Sequence, residues 1–281
     1  MIQNSEYANL HLHSTYSDAQ YTPEQLVLLG KSLGYKAIAI TDHETDAGYS
    51  DLKYHAEKEG GIEALAGIEF YGKIDGRAPH IVCLDHDVDN PELREFVRMR
   101  VEGYTEYTRK CVEYGIKIGV IDGVTWDDVV KFSGKGAWIC IDSVFNACRA
   151  LHVPIPENLR QDVFKADETR KLYPPMPSAE VVIKVIRKAG GIAILAHPQN
   201  LMQYVPSLVA LGLNGIEISH PDITDETSKL AVEAAKAYNL YRSGGTDHTG
   251  PMSGCNGKHA IPVFNGISEE DFEIIKNRKL G

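Results

Sequence analysis

Short apolar runs separated by helix-like stretches characterise the first third of the chain. Thr22 and Pro23 begin one such stretch, because Thr is a favoured helix N-cap and Pro fits the first helical position. Alternating or continuous apolar residues over a few positions are typical of strands. On this basis we predict four strands in the first third, at residues 8–13, 37–41, 64–70 and 80–85.

The middle of the chain has a different pattern. Apolar side chains recur at helical spacing from residue 91 to about 115, and two further helices are predicted at 125–132 and 143–151. A proline-rich stretch at 173–177 ends this region. Strands and helices then alternate again, and we predict three more strands, at 193–197, 215–219 and 240–247.

This alternation favours an α/β fold whose parallel strands form a closed or nearly closed barrel. We assign residues 1–85 and 176–281 to the barrel. Few strand signals occur between the two parts, so we interpret residues 86–175 as a mostly helical insert that packs on the barrel.

Composition narrows the possible classes of protein. With 281 residues, of which 43% are hydrophobic, the chain can bury the core of a barrel with an insert. No apolar stretch approaches the roughly 18 residues of a membrane span, and the first residues lack the pattern of a secretory signal. The five cysteines match no zinc or disulfide pattern, so we expect free thiols in the cytoplasm. A net charge of −10 opposes non-specific binding to nucleic acid.

Candidate metal ligands lie at the ends of the predicted strands. His11 and His13 are two apart on a strand, so both imidazoles leave the same face. Two converging imidazoles often begin a metal site, although two solvated histidines explain the pair alone equally well. Glu69 lies deep in an apolar run, where a buried carboxylate needs a partner such as a metal ion or a surface lysine.

Other candidates have ordinary explanations when they are taken one at a time. Asp18 could be a turn residue, and Asp42 before His43 could be a helix N-cap. Asp247 lies at the end of the last predicted strand. The joint pattern indicates function, because barrel enzymes build their sites at strand ends. Seven of the eleven histidines lie near such ends: His11, His13, His43, His80, His197, His220 and His248.

Six short segments together resemble the motifs of a known family. In order and spacing, HLHSTYSD, TDH, GIEF, HIV, AHP and GGTDH resemble the polymerase and histidinol phosphatase (PHP) superfamily. The insert is similar to that of a branch of small metal-dependent phosphoesterases, which includes nucleoside bisphosphatases and RNA 5′-end nucleases. The resemblance implies a distorted (βα)7 TIM-like barrel whose active site is covered by the helical insert. It also implies two to three divalent ions, usually manganese, with iron or zinc as alternatives.

The resemblance further implies how the ligands are shared among these ions. One ion would take four side chains: His11, His13, Glu69 and Asp247. Glu69 would bridge to a second ion, which His80 and His197 would complete. Glu69, Asp247 and His197 would then form the catalytic core.

The third ion is where this chain departs from the family pattern. Asp18 and His43 would bind it together with a histidine of the last motif, and Asp42 would support these ligands from behind. The last motif usually reads Gly-Ser-Asp-x-His-Gly, but here Thr249 occupies the histidine position and His248 comes one place early. We predict that the chain turns after the aspartate and brings His248 to the third ion. The alternative is a third site that is empty or completed by water.

The implied metal set indicates attack by a metal-activated hydroxide, and the family resemblance, more than the number of ligands, favours a phosphoester over an amide. We therefore predict a metal-dependent phosphoesterase. The expected substrate is a small phosphorylated metabolite, a phosphomonoester or cyclic phosphodiester of a sugar phosphate or nucleotide. Arg149, His220 and Arg242 are candidate substrate contacts. Related proteins often carry an Arg-Pro-His-like segment, and its replacement at 141–145 weakens the case for a nucleoside bisphosphate. Two alternatives are a catalytically silent PHP scaffold module and an amidohydrolase on the same barrel.

Overall fold

The computed structural model describes residues 6–134, 138–250 and 264–278. Seven strands follow one another in chain order around one sheet. They are β1 (Ala8–Leu12), β2 (Ala37–Ile40), β3 (Glu63–Tyr71), β4 (His80–Leu84), β5 (Ile192–Leu195), β6 (Gly215–Ser219) and β7 (Tyr241–Gly244). Every predicted strand is present, and the last is shorter than its apolar pattern indicates.

One strand of the barrel runs against the others. β1, β2 and β3 are parallel, as are β5, β6 and β7, but β4 is antiparallel to both of its neighbours. Only residues 72–79 join β3 to β4, and a parallel crossover needs a dozen or more residues. The prediction that all strands are parallel is therefore corrected for β4, and His80 pairs with Tyr71 at the end of β3.

The segment after β7 closes the barrel against β1. Asp247 donates its backbone N–H to the carbonyl of His11 at 2.8 Å, and His13 donates to the carbonyl of His248 at 3.2 Å. Gly245 permits this approach, because a Cβ at that position would lie 2.4 Å from the His11 nitrogen. The predicted seven-stranded α/β barrel is confirmed.

Ten α-helices occur in the described residues. They are α1 (Pro23–Ser32), α2 (Tyr49–Glu59), α3 (Pro91–Lys117), α4 (Trp126–Phe132), α5 (Ile141–Ala150), α6 (Asp167–Arg170), α7 (Ala179–Lys188), α8 (Val205–Ala210), α9 (Asp225–Tyr238) and α10 (Glu269–Lys276). Polar caps explain several starts. The Thr22 hydroxyl accepts from the Gln25 N–H while the Gln25 side chain accepts from the Thr22 N–H, a reciprocal capping box.

The helices α3 to α6 all lie between β4 and β5 in the chain. Three of them, α3, α4 and α5, share an apolar cluster that includes Cys111, Val129 and Val144, and Val163 from the segment before α6 joins it. A π-helical turn, Arg160–Phe164, precedes α6. The helical signal predicted α3, α4 and α5, but the irregular turn and the short α6 have no clear apolar period. The bounds of the insert, 86–175, stay a prediction.

Two further observations bear on the composition. The four described cysteines, at positions 83, 111, 140 and 148, are free and buried, whereas Cys255 lies outside the described residues. Across the described ranges, none of the helices combines the length and apolar character that crossing a membrane requires.

Candidate metal centre

The two histidines of β1 lie side by side inside the barrel mouth. His11 and His13 are both buried, and their ring centroids are 5.4 Å apart. Leu10, which precedes His11, and Leu12, which lies between the two histidines, belong to apolar clusters. The strand period therefore delivers both imidazoles to one face, as the two-residue spacing predicts.

Glu69 is the centre of the cluster. It lies near the end of β3 and is only 1% exposed. Its two carboxylate oxygens lie 2.9–3.4 Å from nitrogens of five imidazoles, those of His11, His13, His43, His80 and His197. The reversed direction of β4 explains how His80, which begins its strand, reaches the same end of the barrel as residues that end theirs.

The neighbouring histidines stabilise the negative charge of Glu69. Burial alone would raise the pKa of the Glu69 carboxyl, but the histidines, led by His80, His11 and His43, outweigh burial and keep that pKa well below its usual range. Burial likewise opposes ionisation of Asp247, and His11 with its neighbours holds the Asp247 pKa well below normal. Both carboxylates are therefore anionic at neutral pH and suited to cations.

The described residues form four groups of three potential ligands. Three of the groups overlap the ligand sets implied for the three ions: His11, His13 and Glu69; Glu69, His80 and His197; and His13, Asp18 and His43. Asp247 Oδ1 lies 3.0 Å from His13 Nε2 and 3.6 Å from His11 Nε2. The fourth group contains His11, Glu217 and His220.

Several buried ring nitrogens fit a metal better than any protein partner. Among the described residues, His11 Nε2, both ring nitrogens of His13 and His43 Nδ1 have no hydrogen-bond partner. A buried polar atom without a partner is costly, and a bound divalent ion would remove that cost. Imidazole and carboxylate together suit manganese, iron and zinc, so the donor set fits the divalent ions that the sequence predicts.

Backbone geometry at two ligands is unusual. His197 and Asp247 adopt φ values of 28° and 48°, in a region that non-glycine residues seldom occupy. Such conformations persist only where the surroundings hold them, and they recur at functional sites.

Glu217 is a site residue that the sequence interpretation missed. It lies on β6, is fully buried, and its Oε1 is 2.7 Å from His11 Nδ1. Its Oε2 accepts the backbone N–H of His197 at 2.7 Å. A carboxylate on the far nitrogen of a metal-binding histidine fixes the tautomer and the ring orientation. The signal was available, because Glu217 in GIEIS repeats the buried glutamate of GIEF at Glu69.

Asp42 holds the loop that carries Asp18. Asp42 Oδ1 accepts the Ser14 N–H at 2.7 Å and the Ser17 hydroxyl at 2.5 Å, while Oδ2 accepts the Ser14 hydroxyl at 2.6 Å. Asp18 reaches 3.5 Å from His13 and 3.6 Å from His43. This placement agrees with the predicted supporting role of Asp42.

His248 requires a correction. Its ring stacks on Tyr21 with centroids 5.3 Å apart, and it lines a small apolar pocket with Leu12 and Leu26. Leu12 and His248 pair as in a parallel ladder, so the side-chain alternation continues past Asp247 and turns His248 away from the ion site. In the described residues, His248 belongs to no ligand group.

The three predicted substrate contacts have different surroundings. His220 is buried within the cluster, with its Nε2 3.5 Å from Asp247 Oδ2. Arg149 donates to Asn146 on the same helix, and Arg242 lies 3.6 Å from Asp271. Neither of those partners belongs to the four ligand groups. His220 therefore lies among the predicted metal ligands. The contacts of Arg149 and Arg242 do not connect either arginine to those ligands.

An aromatic cleft of about 270 Å³ adjoins the cluster. Tyr71 stacks on His43 with centroids 5.1 Å apart, and Trp138 lies 5.4 Å from the same imidazole. Tyr104 contacts Trp138 and its hydroxyl lies 2.5 Å from the Tyr173 hydroxyl. Three cationic side chains line the same cleft, Arg160, Lys165 and Arg170.

Comparison with known proteins relates part of the chain to a known family. Residues 9–127 match the PHP domain family, and this range includes the predicted ligands from His11 to His80. The family resemblance of its motifs is thereby confirmed.

Three curated relatives cover most of this chain. A phosphoribosyl 1,2-cyclic phosphate 1,2-diphosphodiesterase of Eggerthella lenta is 29% identical over 86% of this chain and 94% of its own. A 5′-3′ exoribonuclease of Haemophilus influenzae is 28% identical over 85% and 88%, respectively. A 3′,5′-nucleoside bisphosphate phosphatase of Chromobacterium violaceum is 27% identical over 88% of both chains. The predicted reaction class, hydrolysis of phosphoric esters, is confirmed.

Two solved structures share the fold of this chain. One, assigned as a metal-dependent phosphoesterase of Bifidobacterium adolescentis, has a TM-score of 0.77 and 23% identity, covering 98% of this chain and 96% of its own. The other, an amidohydrolase of Chromobacterium violaceum, has a TM-score of 0.68 and 22% identity, covering 95% of both chains. At these identities the likeness concerns the fold.

Proposed function

We propose that this protein is a metal-dependent phosphoesterase whose substrate is a nucleotide or the phosphorylated end of an oligonucleotide. The observation that carries the proposal is the position of Glu69, one carboxylate surrounded by five imidazoles at the mouth of the barrel. Such a donor set serves divalent cations, and bound divalent ions would activate water and neutralise phosphoryl charge.

The ligands divide the work among themselves. Glu69 would help to hold the ions, because its two oxygens face different imidazoles: Oε1 faces His11, His80 and His197, and Oε2 faces His13 and His43. Glu217 holds His11 in the tautomer whose Nε2 faces the cluster. Tyr71 stays protonated, because burial, followed by the nearby carboxylates, raises its pKa well above the usual range. Its hydroxyl, 3.4 Å from His43, can therefore donate a hydrogen bond to a phosphoryl oxygen.

The cleft beside the cluster favours a substrate with a planar ring and an additional negative charge. Tyr71, Tyr104 and Trp138 present aromatic faces on which a base can stack. Among the described residues the Trp138 indole N–H is buried without a hydrogen-bond partner, so it can donate to a ring acceptor. Arg160 and Lys165 at the cleft provide charges for a second phosphate. We propose the insert, residues 86–175, as the cover of this active site.

A sugar cyclic phosphate is the second candidate. The observation that favours it is the Eggerthella lenta relative, whose name specifies a phosphoribosyl 1,2-cyclic phosphate. Such a substrate carries two phosphates but no aromatic base, so it would use the cations of the cleft and not its aromatic faces.

A panel of substrates tests the proposal. Purified protein is stripped with a chelator, reloaded with manganese, iron or zinc, and assayed with four compounds. These are a nucleoside 3′,5′-bisphosphate, a 5′-phosphorylated oligoribonucleotide, a phosphoribosyl 1,2-cyclic phosphate and an N-acyl amino acid. We expect activity on one of the first two, lost on stripping and restored by metal. Preference for the cyclic phosphate would select the second candidate, and hydrolysis of the amide alone would refute both.

Glu69→Gln provides the matched variant for this assay. It keeps the shape of the side chain but removes the charge, so we expect at least about a 100-fold loss of rate. Glu63→Gln on the same strand is the control. Glu63 is partly exposed, and in the described part of the chain its one salt bridge is with Lys276. Equal activity of the two variants would remove Glu69 from the mechanism.

A further inference from the structure

A buried ion pair connects the loop after His43 to the helical insert. Glu44 follows His43 directly, is fully buried, and has a φ of 60°. Its Oε2 accepts from Arg100 Nε at 2.9 Å and its Oε1 accepts from Arg100 Nη2 at 3.1 Å. Arg100 belongs to α3 and is 7% exposed, so two opposite charges meet away from water.

The backbone of Glu44 is tied to the strand that carries the central ligand. The Glu44 N–H donates to the Glu69 carbonyl at 2.9 Å, and the Glu69 N–H donates to the Asp42 carbonyl at 3.1 Å. Glu44 Oε1 also accepts the N–H of Tyr71 at 3.2 Å. The carboxylate of Glu44 is therefore fixed with respect to Glu69 and the phenol that stacks on His43.

Arg100 also reaches both ends of the insert. It stands on α3 near the beginning of the insert, and its Nη1 donates to the carbonyl of Pro175 at the end, at 2.9 Å. The guanidinium lies 5.0 Å from the centre of the Tyr104 ring, in cation–π contact. Tyr104 in turn contacts Trp138 and Tyr173. One side chain thus joins the metal-ligand loop, α3 and the proline-rich joint.

We propose that Glu44 and Arg100 form a positioning pair, which sets the aromatic face of the insert at a fixed distance from the metal cluster. A planar guanidinium bound by two parallel hydrogen bonds fixes direction as well as distance, which a lysine cannot reproduce. Apolar residues of similar volume can often replace a buried ion pair without loss of stability. The contribution of this pair is therefore the alignment of Tyr104 and Trp138 over His43, and through them the fit of the substrate.

The kinetic part of the test rests on the proposed function. Arg100→Met, Arg100→Lys and the double variant Glu44→Gln/Arg100→Met are compared with the wild type, using the best substrate of the panel. We expect KM to rise by at least about tenfold in all three, with a smaller change in kcat and unchanged metal content. Arg98→Met is the matched control, since Arg98 lies two positions away on α3 and forms exposed pairs with Glu95 and Glu102.

A second measurement needs no substrate. The chain has two tryptophans, so Trp126→Phe leaves Trp138, which is 5% exposed, as the only indole. In that background acrylamide quenching of fluorescence reports how closely the insert covers the barrel. We expect quenching to rise severalfold in the three pair variants and to stay at the wild-type level in Arg98→Met, at a temperature where circular dichroism shows all of them folded.

The double variant separates alignment from stability. Replacing both charges removes the unpaired buried Glu44 that Arg100→Met leaves behind, so its Tm should recover toward the wild type. We expect KM and quenching to remain altered despite that recovery. Wild-type KM and quenching in any of the three pair variants would overturn the proposal. An inactive wild type with altered quenching in the variants would refute the proposed function alone.

Discussion

Glu217 shows how a residue outside the predicted ligand set controls one inside it. Its carboxylate binds His11 Nδ1 and the backbone N–H of His197, so it fixes two ligands that belong to different ions in the predicted scheme. Burial opposes its charge, but His11 outweighs burial and lowers the Glu217 pKa. An anionic carboxylate behind an imidazole makes that imidazole a stronger donor.

Replacing Glu217 by Gln should therefore weaken metal binding without unfolding the protein. We expect a loss of about 10- to 100-fold in metal affinity, with a parallel loss of activity. Titration of the stripped protein with manganese, followed by calorimetry, measures the affinity directly. Glu63→Gln on β3 should bind manganese as the wild type does. An unchanged affinity in Glu217→Gln would mean that the carboxylate only fills space.

His248 leads to the opposite expectation. Its ring packs against Tyr21 and the apolar residues Leu12 and Leu26, on the side of β1 away from the cluster. His248→Ala should therefore keep the wild-type number of bound metal ions per chain. Removing the ring leaves a cavity beside α1, so we expect a loss of about 1–3 kcal/mol in stability. Elemental analysis checks the first statement and urea unfolding the second, and loss of one metal equivalent would restore His248 as a ligand.

These residues also show what the sequence can and cannot reveal. The two-residue spacing of His11 and His13 predicts their shared face, because strand periodicity is local. The same reasoning that singles out Glu69 applies to Glu217, so that omission was avoidable. The direction of His248 was not predictable in this way. It depends on whether the chain continues beside β1 after Asp247, which is a tertiary contact.

At the level of elements, the reversed strand β4 decides which histidines can meet. Apolar runs locate the strands but carry no direction, and only the short connection at 72–79 indicates an antiparallel return. With β4 reversed, the first residue of that strand lies at the barrel end where the others finish. The sequence therefore predicted both the strand and His80 as a ligand. Only the reversed direction of β4 in the sheet explains how the first residue of that strand reaches the site.

The contact between β1 and the segment after β7 leaves no space for a side chain at Gly245. At Gly245 an added Cβ would lie 2.4 Å from the His11 nitrogen and 2.7 Å from the Asn9 side chain, so Gly245→Ala must displace one of the two segments. We expect loss of metal binding and a loss of about 1–3 kcal/mol in stability, the usual cost of overpacking. Gly103→Ala in the middle of α3 is the control. Its Cβ would approach no atom closer than 3.4 Å, and it should be neutral or slightly stabilising.

On the scale of the whole molecule, three residues outside the metal cluster link stability to pH, and His86 and Cys83 among them are buried. His86 lies 3.0 Å from Asp46 and 3.3 Å from the Cys83 sulfur. Burial alone would lower the pKa of His86, but Cys83 and Asp46 outweigh it and raise the pKa to about 10. In the unfolded chain a histidine has a pKa of about 6.5. Protonation of His86 therefore stabilises the folded state to its full extent below pH 6.5. This stabilisation decreases as the pH rises toward 10.

We accordingly expect the free energy of unfolding to fall between pH 6.5 and pH 10. The decrease assigned to His86 should be at least about 1 kcal/mol, and His86→Gln should lose it. Urea unfolding of both proteins over this range gives the difference, in which contributions from all other groups cancel. Parallel curves for the two proteins would show that folding does not raise the pKa of His86.

The closure of the barrel has a consequence for how the protein is made. Predicted ligands come from β1 and from the segment after β7, and backbone hydrogen bonds from His13 to His248 and from Asp247 to His11 hold the two segments together. Contacts between such distant parts of a chain form slowly, since a long loop must close first. A nascent chain that has not yet released Asp247 from the ribosome lacks a predicted ligand of the first ion. If Asp247 binds that ion, we expect its uptake to mark the last stage of folding, and metal binding followed in time would record it.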